Sequence, residues 1–96
     1  MINITWYKNS LVLQGHANCN YKGKDLVCCA ASAIVQTAIA WFNKKDIKIT
    51  KNTKIPFFEI KLIKLTNQNQ KYLELIYKQL SYLAKQNKKY ISCKKK

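Results

Sequence analysis

The chain has one histidine, His16, in the run Gly15-His16-Ala17, and after a short polar stretch it has two adjacent cysteines, Cys28 and Cys29. An imidazole that takes a proton and a thiolate that attacks an acyl carbon are the two working parts of a cysteine nucleophile. Asp25 is a good helix N-cap, since its carboxylate accepts from an otherwise unpaired N–H in the first turn. Leu26 is then the first helical residue and Cys28 the third. A first turn offers free N–H groups and the positive end of the helix dipole, which favour a thiolate and stabilise a developing oxyanion. The backbone N–H groups of Cys28 and Cys29 are the candidate donors. Spacing alone does not bring His16 to Cys28, so other uses of these residues stay open.

One alternative is a zinc site drawn from His16, Cys19, Cys28 and Cys29. Zinc ligands normally converge from a turn such as Cys-x-x-Cys, whereas neighbours on a helix diverge by roughly 100°. No metal and no cofactor is therefore expected. Blander readings also exist: Cys29 packs as a small hydrophobe, Cys19 and Cys93 are incidental thiols, and Ser32 satisfies its hydroxyl on its own backbone.

Residues before His16 alternate with period two, Ile2, Ile4 and Trp6 on one side and Leu11 and Leu13 after a turn at Lys8 and Asn9. That pattern predicts a hairpin whose second strand, 10–15, delivers His16 to a sheet edge. From Leu26 to about Phe42, Val27, Ile34, Val35, Ala38, Ile39 and Phe42 recur at helical steps, with Ala30, Ala31 and Ala33 giving a thin side for close packing. Ser32 stands one turn beyond Cys28 on the same face. Ile47 and Ile49 alternate with lysines as a short strand, and 57–65 is expected to be the longest strand, with a change of face at Ile63 and Leu65. A second amphipathic helix begins at 67–69, with Leu73, Ile76, Leu80 and Leu83 as its buried stripe. Tyr90 to Cys93 is a last short strand, and 94–96 a disordered tail. The expected fold is α/β of the α+β kind: a two-layer sandwich, with a mostly antiparallel sheet of four to five strands and two helices on one face.

The chain has 96 residues, 48% of them hydrophobic, enough for one domain with a single modest core. Its formal charge is +14, and all 18 basic residues are lysine. Such a charge points toward polyanions, but without arginine's bidentate fork a sequence-specific nucleic-acid reader is disfavoured. A non-catalytic, lysine-rich ribosome- or RNA-associated binding module is the reading that competes with an enzyme. The N-terminal residues form a polar strand rather than a signal peptide, so a cytoplasmic location with reduced thiols is expected. The uncharged run from Leu26 to Asn43 is shorter than the ~20 apolar residues of a spanning helix, so no membrane partner is expected.

Gly15-His16-Ala17, a loop ending in Gly23, then Asp25-Leu26-Val27-Cys28 with small residues and Ser32, and then Ala33-Ile34-Val35-Gln36-Thr37-Ala38, resembles the ribosomal-processing cysteine protease family, Prp. Histidine, aspartate, cysteine and serine match in order and separation, from Gly15 to about Ala38. The loop Asn18-Cys19-Asn20-Tyr21-Lys22 and Cys29, where a small residue is usual, depart from the family pattern. The resemblance implies Cys28 as nucleophile and His16 as its base, with Gly15, Asp25 and Ser32 in support. Asp25 either orients His16 or only caps the helix. It also implies a homodimer, and a substrate that is the N-terminal extension of a large-subunit ribosomal protein precursor, cleaved near an aromatic pair. The polar segment Ala17, Asn18, Cys19, Asn20, Tyr21, Lys22, Gly23 and Lys24, read alone, is either a mobile connection or a lid. The resemblance favours a lid over the peptide, and the lysine-rich surface suits a substrate close to ribosomal RNA.

Overall fold

A computed structural model describes residues 2–15, 26–52 and 57–96, with the backbone alone for 26–28. The chain runs β1 (Ile2–Tyr7), β2 (Ser10–Gln14), α1 (Leu26–Ala38), 3-10 turns at Ile39–Trp41 and Lys44–Asp46, β3 (Ile47–Asn52), β4 (Phe57–Leu62), α2 (Asn67–Gln86) and β5 (Ile91–Lys95). The strands form one five-stranded sheet in the order β3-β4-β2-β1-β5. Three neighbouring pairs are antiparallel and the last, β1 with β5, is parallel, so the sheet is mixed but mostly antiparallel.

Alternation along the strands becomes two faces through the register. Ile4 lies opposite Leu13 and Cys93, Leu11 opposite Ile60, and Ile47 opposite Leu62, all on one side. Both helices cover that side, and one apolar cluster joins Ile4, Leu11, Ile60 and Leu62 to Ala31, Val35 and Ala38 of α1 and to Leu73, Ile76 and Leu80 of α2. Each of the three α2 side chains is fully buried, a gain of about 1.5–3 kcal/mol apiece over leaving it in water. The opposite side carries Asn3, Thr5, Glu59 and Lys61 and is left uncovered by any described element.

The first turn of α2 is closed by its own side chains. The Thr66 hydroxyl accepts from the Asn69 N–H at 3.0 Å. Asn69, buried, donates through Nδ2 to Asp46 Oδ2 at 3.2 Å and to the Lys64 carbonyl at 3.0 Å. The Asp46 carbonyl in turn accepts from the N–H groups of Ile63 and Lys64. These bonds account for one departure from expectation: β4 stops at Leu62, no longer than β1 or β3, because the next two N–H groups turn to Asp46 instead of to a strand. Ile63 and Leu65 are exposed and mark no bulge within a strand.

Other boundaries shift too. The α-helix ends at Ala38 and tightens into a 3-10 turn, after which Phe42 is still buried. Ala31 and Ala38 line the packed side of α1, while Ala33 is exposed. Leu83 is half-buried rather than a core residue. Lys94 and Lys95 belong to β5, and the Lys96 N–H donates to the Trp6 carbonyl at 2.8 Å, so the C-terminal lysines are ordered by pairing with β1. No helix among the described residues is long and apolar enough to cross a membrane.

Candidate active site

The site starts where β2 ends. Gln14 pairs with Asn3 of β1 and with Phe57 of β4, and the next residue, Gly15, takes φ 93°. A side chain there would crowd the backbone, so glycine suits a strand exit of this hand. Gly15 thus sends the chain off the sheet at the end where β1 and β4 begin. His16, the segment 17–24 and Asp25 lie outside the described residues.

The chain returns as α1, with Leu26 first and the Cys28 backbone at the third helical position, as the capping pattern predicts. Helix geometry leaves an N–H at that position without an intrahelical partner. No acidic side chain stands in the first turn to cancel the positive end of the dipole. A thiol in this place gains electrostatic help from the backbone.

Ser32 is exposed, and its Oγ accepts from Gln36 Nε2 at 2.9 Å. That bond uses the Ser32 oxygen as acceptor and leaves its hydroxyl proton to donate elsewhere. Thr37 directs its hydroxyl to the backbone, donating to the Ala33 carbonyl at 2.6 Å. Cys29 is exposed, not packed as a small hydrophobe, because it faces away from the stripe of Ala31, Val35 and Ala38. Cys93 is half-buried on β5 among residues packed against the core. Burial pushes its thiol up from its ordinary pKa of 9.0, and a hydrogen bond with Ser81 opposes the rise in part. Cys93 is therefore a poor nucleophile near neutrality, and nothing in its local sequence signals Ser81 beside it.

Residues 1–92 match the family model described as "Cysteine protease Prp". A protein of Mycoplasma genitalium, named ribosomal processing cysteine protease Prp, is 39% identical over 84 residues, covering 88% of this chain and 85% of its own. A protein of the same name from Mycoplasma pneumoniae is 32% identical over 92 residues, covering 96% and 92%. Among solved structures, the fold is similar to that of a ribosomal processing protease Prp from S. aureus in complex with a covalently linked product peptide. That match has a TM-score of 0.87, 20% identity and full coverage of both chains. A structure of the S. aureus protein with a substrate peptide superimposes with a TM-score of 0.79 at 19% identity, again over both whole chains.

Proposed function

The chain belongs to the cysteine protease Prp family, and we propose that it is a single-domain thiol endopeptidase working through a Cys28 and His16 dyad. The observation that carries this reading is the position of Cys28 in the first turn of α1, within a family match spanning nearly the whole chain. His16 takes the proton from the Cys28 thiol. The thiolate adds to the peptide carbonyl carbon, and the carbonyl electron pair moves to oxygen. Backbone N–H groups of Cys28 and Cys29 hold that oxyanion; the Cys28 N–H is one that helix geometry leaves free. Collapse of the tetrahedral adduct breaks the C–N bond, and His16 returns its proton to the leaving amine. Water, deprotonated by His16, then hydrolyses the thioester and regenerates the thiol.

In this reading Gly15 sets the exit of the chain toward His16, Asp25 caps α1, and Ser32 supports the nucleophile from the next turn. The segment 17–24 closes over the peptide. The substrate is the N-terminal extension of a large-subunit ribosomal protein precursor, cut in the cytoplasm close to ribosomal RNA. The names of the Mycoplasma relatives and the peptide complexes of the S. aureus protein support a peptide of this kind. The enzyme acts as a homodimer, for which exposed Trp41, Leu75 and Tyr82 on the helix layer offer apolar area; a monomer in sedimentation would remove that part.

The test is incubation of purified protein with the precursor of the host's own ribosomal protein, read by mass spectrometry. Cys28→Ala is expected to lower turnover by at least about a thousandfold, and His16→Ala to do nearly the same, with the circular dichroism spectrum unchanged. Near-normal turnover by either variant would refute the dyad.

A further inference from the structure

At the end of the sheet away from Gly15, a cleft of about 560 Å³ opens between the close of β1, the start of α2 and the end of β5. Lys8, Lys71, Lys95 and Lys96 line it, with Glu74 as the one acidic side chain among the described residues. The Glu74 Oε1 lies 3.6 Å from Lys78 Nζ on the same helix, so its charge is already partly answered. Among the described residues none of the four cleft lysines has an ion-pair partner. Folding has gathered these cations from the β1–β2 turn, from α2 and from β5, against their mutual repulsion. A concave wall of one sign focuses the field and draws counter-charge into it.

The rest of the lining narrows the kind of anion. The rings of Trp6 and Tyr7 stand in the lining, with Lys95 Nζ 4.9 Å from the Trp6 centroid. Asn67 and Gln70 add amide donors, and no acid stands in the first turn of α2. Lysines interleaved with aromatics along an open groove are what a single nucleic-acid strand uses, phosphates on the cations and bases against the rings. An acidic peptide would use the charge and leave the Trp6 and Tyr7 rings idle. With no arginine in the chain, bidentate reading of guanine is absent, so binding should be tolerant of sequence.

We propose that this cleft binds the phosphodiester backbone of single-stranded RNA. It lies a strand length from Gly15, since Tyr7 pairs with Ser10 at one end of the hairpin and Asn3 with Gln14 at the other. RNA can therefore be held while the α1 end stays open to peptide. The inference does not require the peptidase reading, and cleavage measured on the same variants keeps the two separate.

The experiment is fluorescence anisotropy of a labelled oligouridine of about 12 nucleotides with the full chain across a salt series. A cleft variant, Lys8→Gln with Lys71→Gln and Lys95→Gln, is compared with Lys44→Gln, Lys45→Gln and Lys48→Gln, which removes the same charge from an exposed region elsewhere. The cleft variant should bind at least about tenfold more weakly, with the slope of log affinity on log salt shallower by about 2. The control should change affinity by less than about threefold, and both should retain wild-type precursor cleavage. Equal losses in the two variants, no binding by the wild type at physiological salt, or equal displacement by polyglutamate would each overturn the proposal.

Discussion

Both helices lie on the same face of the sheet, yet they are built to opposite ends. α2 puts Leu73, Ile76 and Leu80 into the centre of the core and closes its first turn with Thr66 and Asn69. Among its described side chains, α1 meets the core mainly through Ala31, Val35 and Ala38, which bury less surface and let the backbone come close. Its first turn, which holds Cys28, contains no acidic residue. The difference suggests a division of labour: large side chains hold one helix down, so the other is free to spend its terminus on chemistry.

The sharpest way to break that division is to truncate one residue of each helix. Ile76→Ala leaves a cavity beside Leu73 and Leu80 and is expected to cost about 2–5 kcal/mol in urea unfolding. Cys28→Ala, measured the same way, should change stability by less than about 1 kcal/mol. If the two were equally destabilising, α1 would be as structural as α2.

A smaller effect is expected at the start of α2. Asn69→Ala strips partners from Asp46 Oδ2 and the Lys64 carbonyl, and a loss of about 1–3 kcal/mol should follow. Hydrogen exchange should then show earlier opening at Ile63 and Lys64, with α1 unaffected. Opening of both helices together would mean that the Asp46 knot supports the whole layer.

The mildest probe compares thiols. At mildly acidic pH iodoacetamide should label Cys28 ahead of Cys93, whose pKa is raised by burial. Because the folded pKa of Cys93 lies above the unfolded one, the neutral thiol favours the folded state below pH 9.0, and that contribution is lost as pH climbs past it. Labelling of Cys93 in the folded protein should accelerate only at a pH higher than that, since burial raises its pKa above 9.0. Equal rates for the two thiols at low pH would leave α1 with no electrostatic advantage.

Much of this architecture is legible in the sequence wherever a pattern is local. Ile2, Ile4, Leu11 and Leu13 alternate plainly, and Leu73, Ile76 and Leu80 repeat at helical steps, so the hairpin and α2 emerge as expected. What fails is whatever depends on a distant partner. Ile63 and Leu65 look like strand residues until the Asp46 carbonyl claims the N–H groups that would continue β4. Lys94 and Lys95 look like a solvated tail until β1 supplies a parallel edge. Cys29 looks like filler, and only the direction of the α1 stripe shows that it faces solvent. The motif from Gly15 to Cys28 carries a family signature in residue types and order. Of its structure, the described residues hold the two flanks: the exit at Gly15 and the first turn of α1.

Gly15 makes the path toward His16 a matter of chirality. At φ 93° its backbone sits in a region natural for the mirror-image amino acids. A D-alanine placed there by chemical synthesis would find a comfortable seat, whereas the L-enantiomer, identical in size and polarity, would have to twist the strand end away. The direction in which the chain leaves β2 is therefore set by the absence of a methyl group.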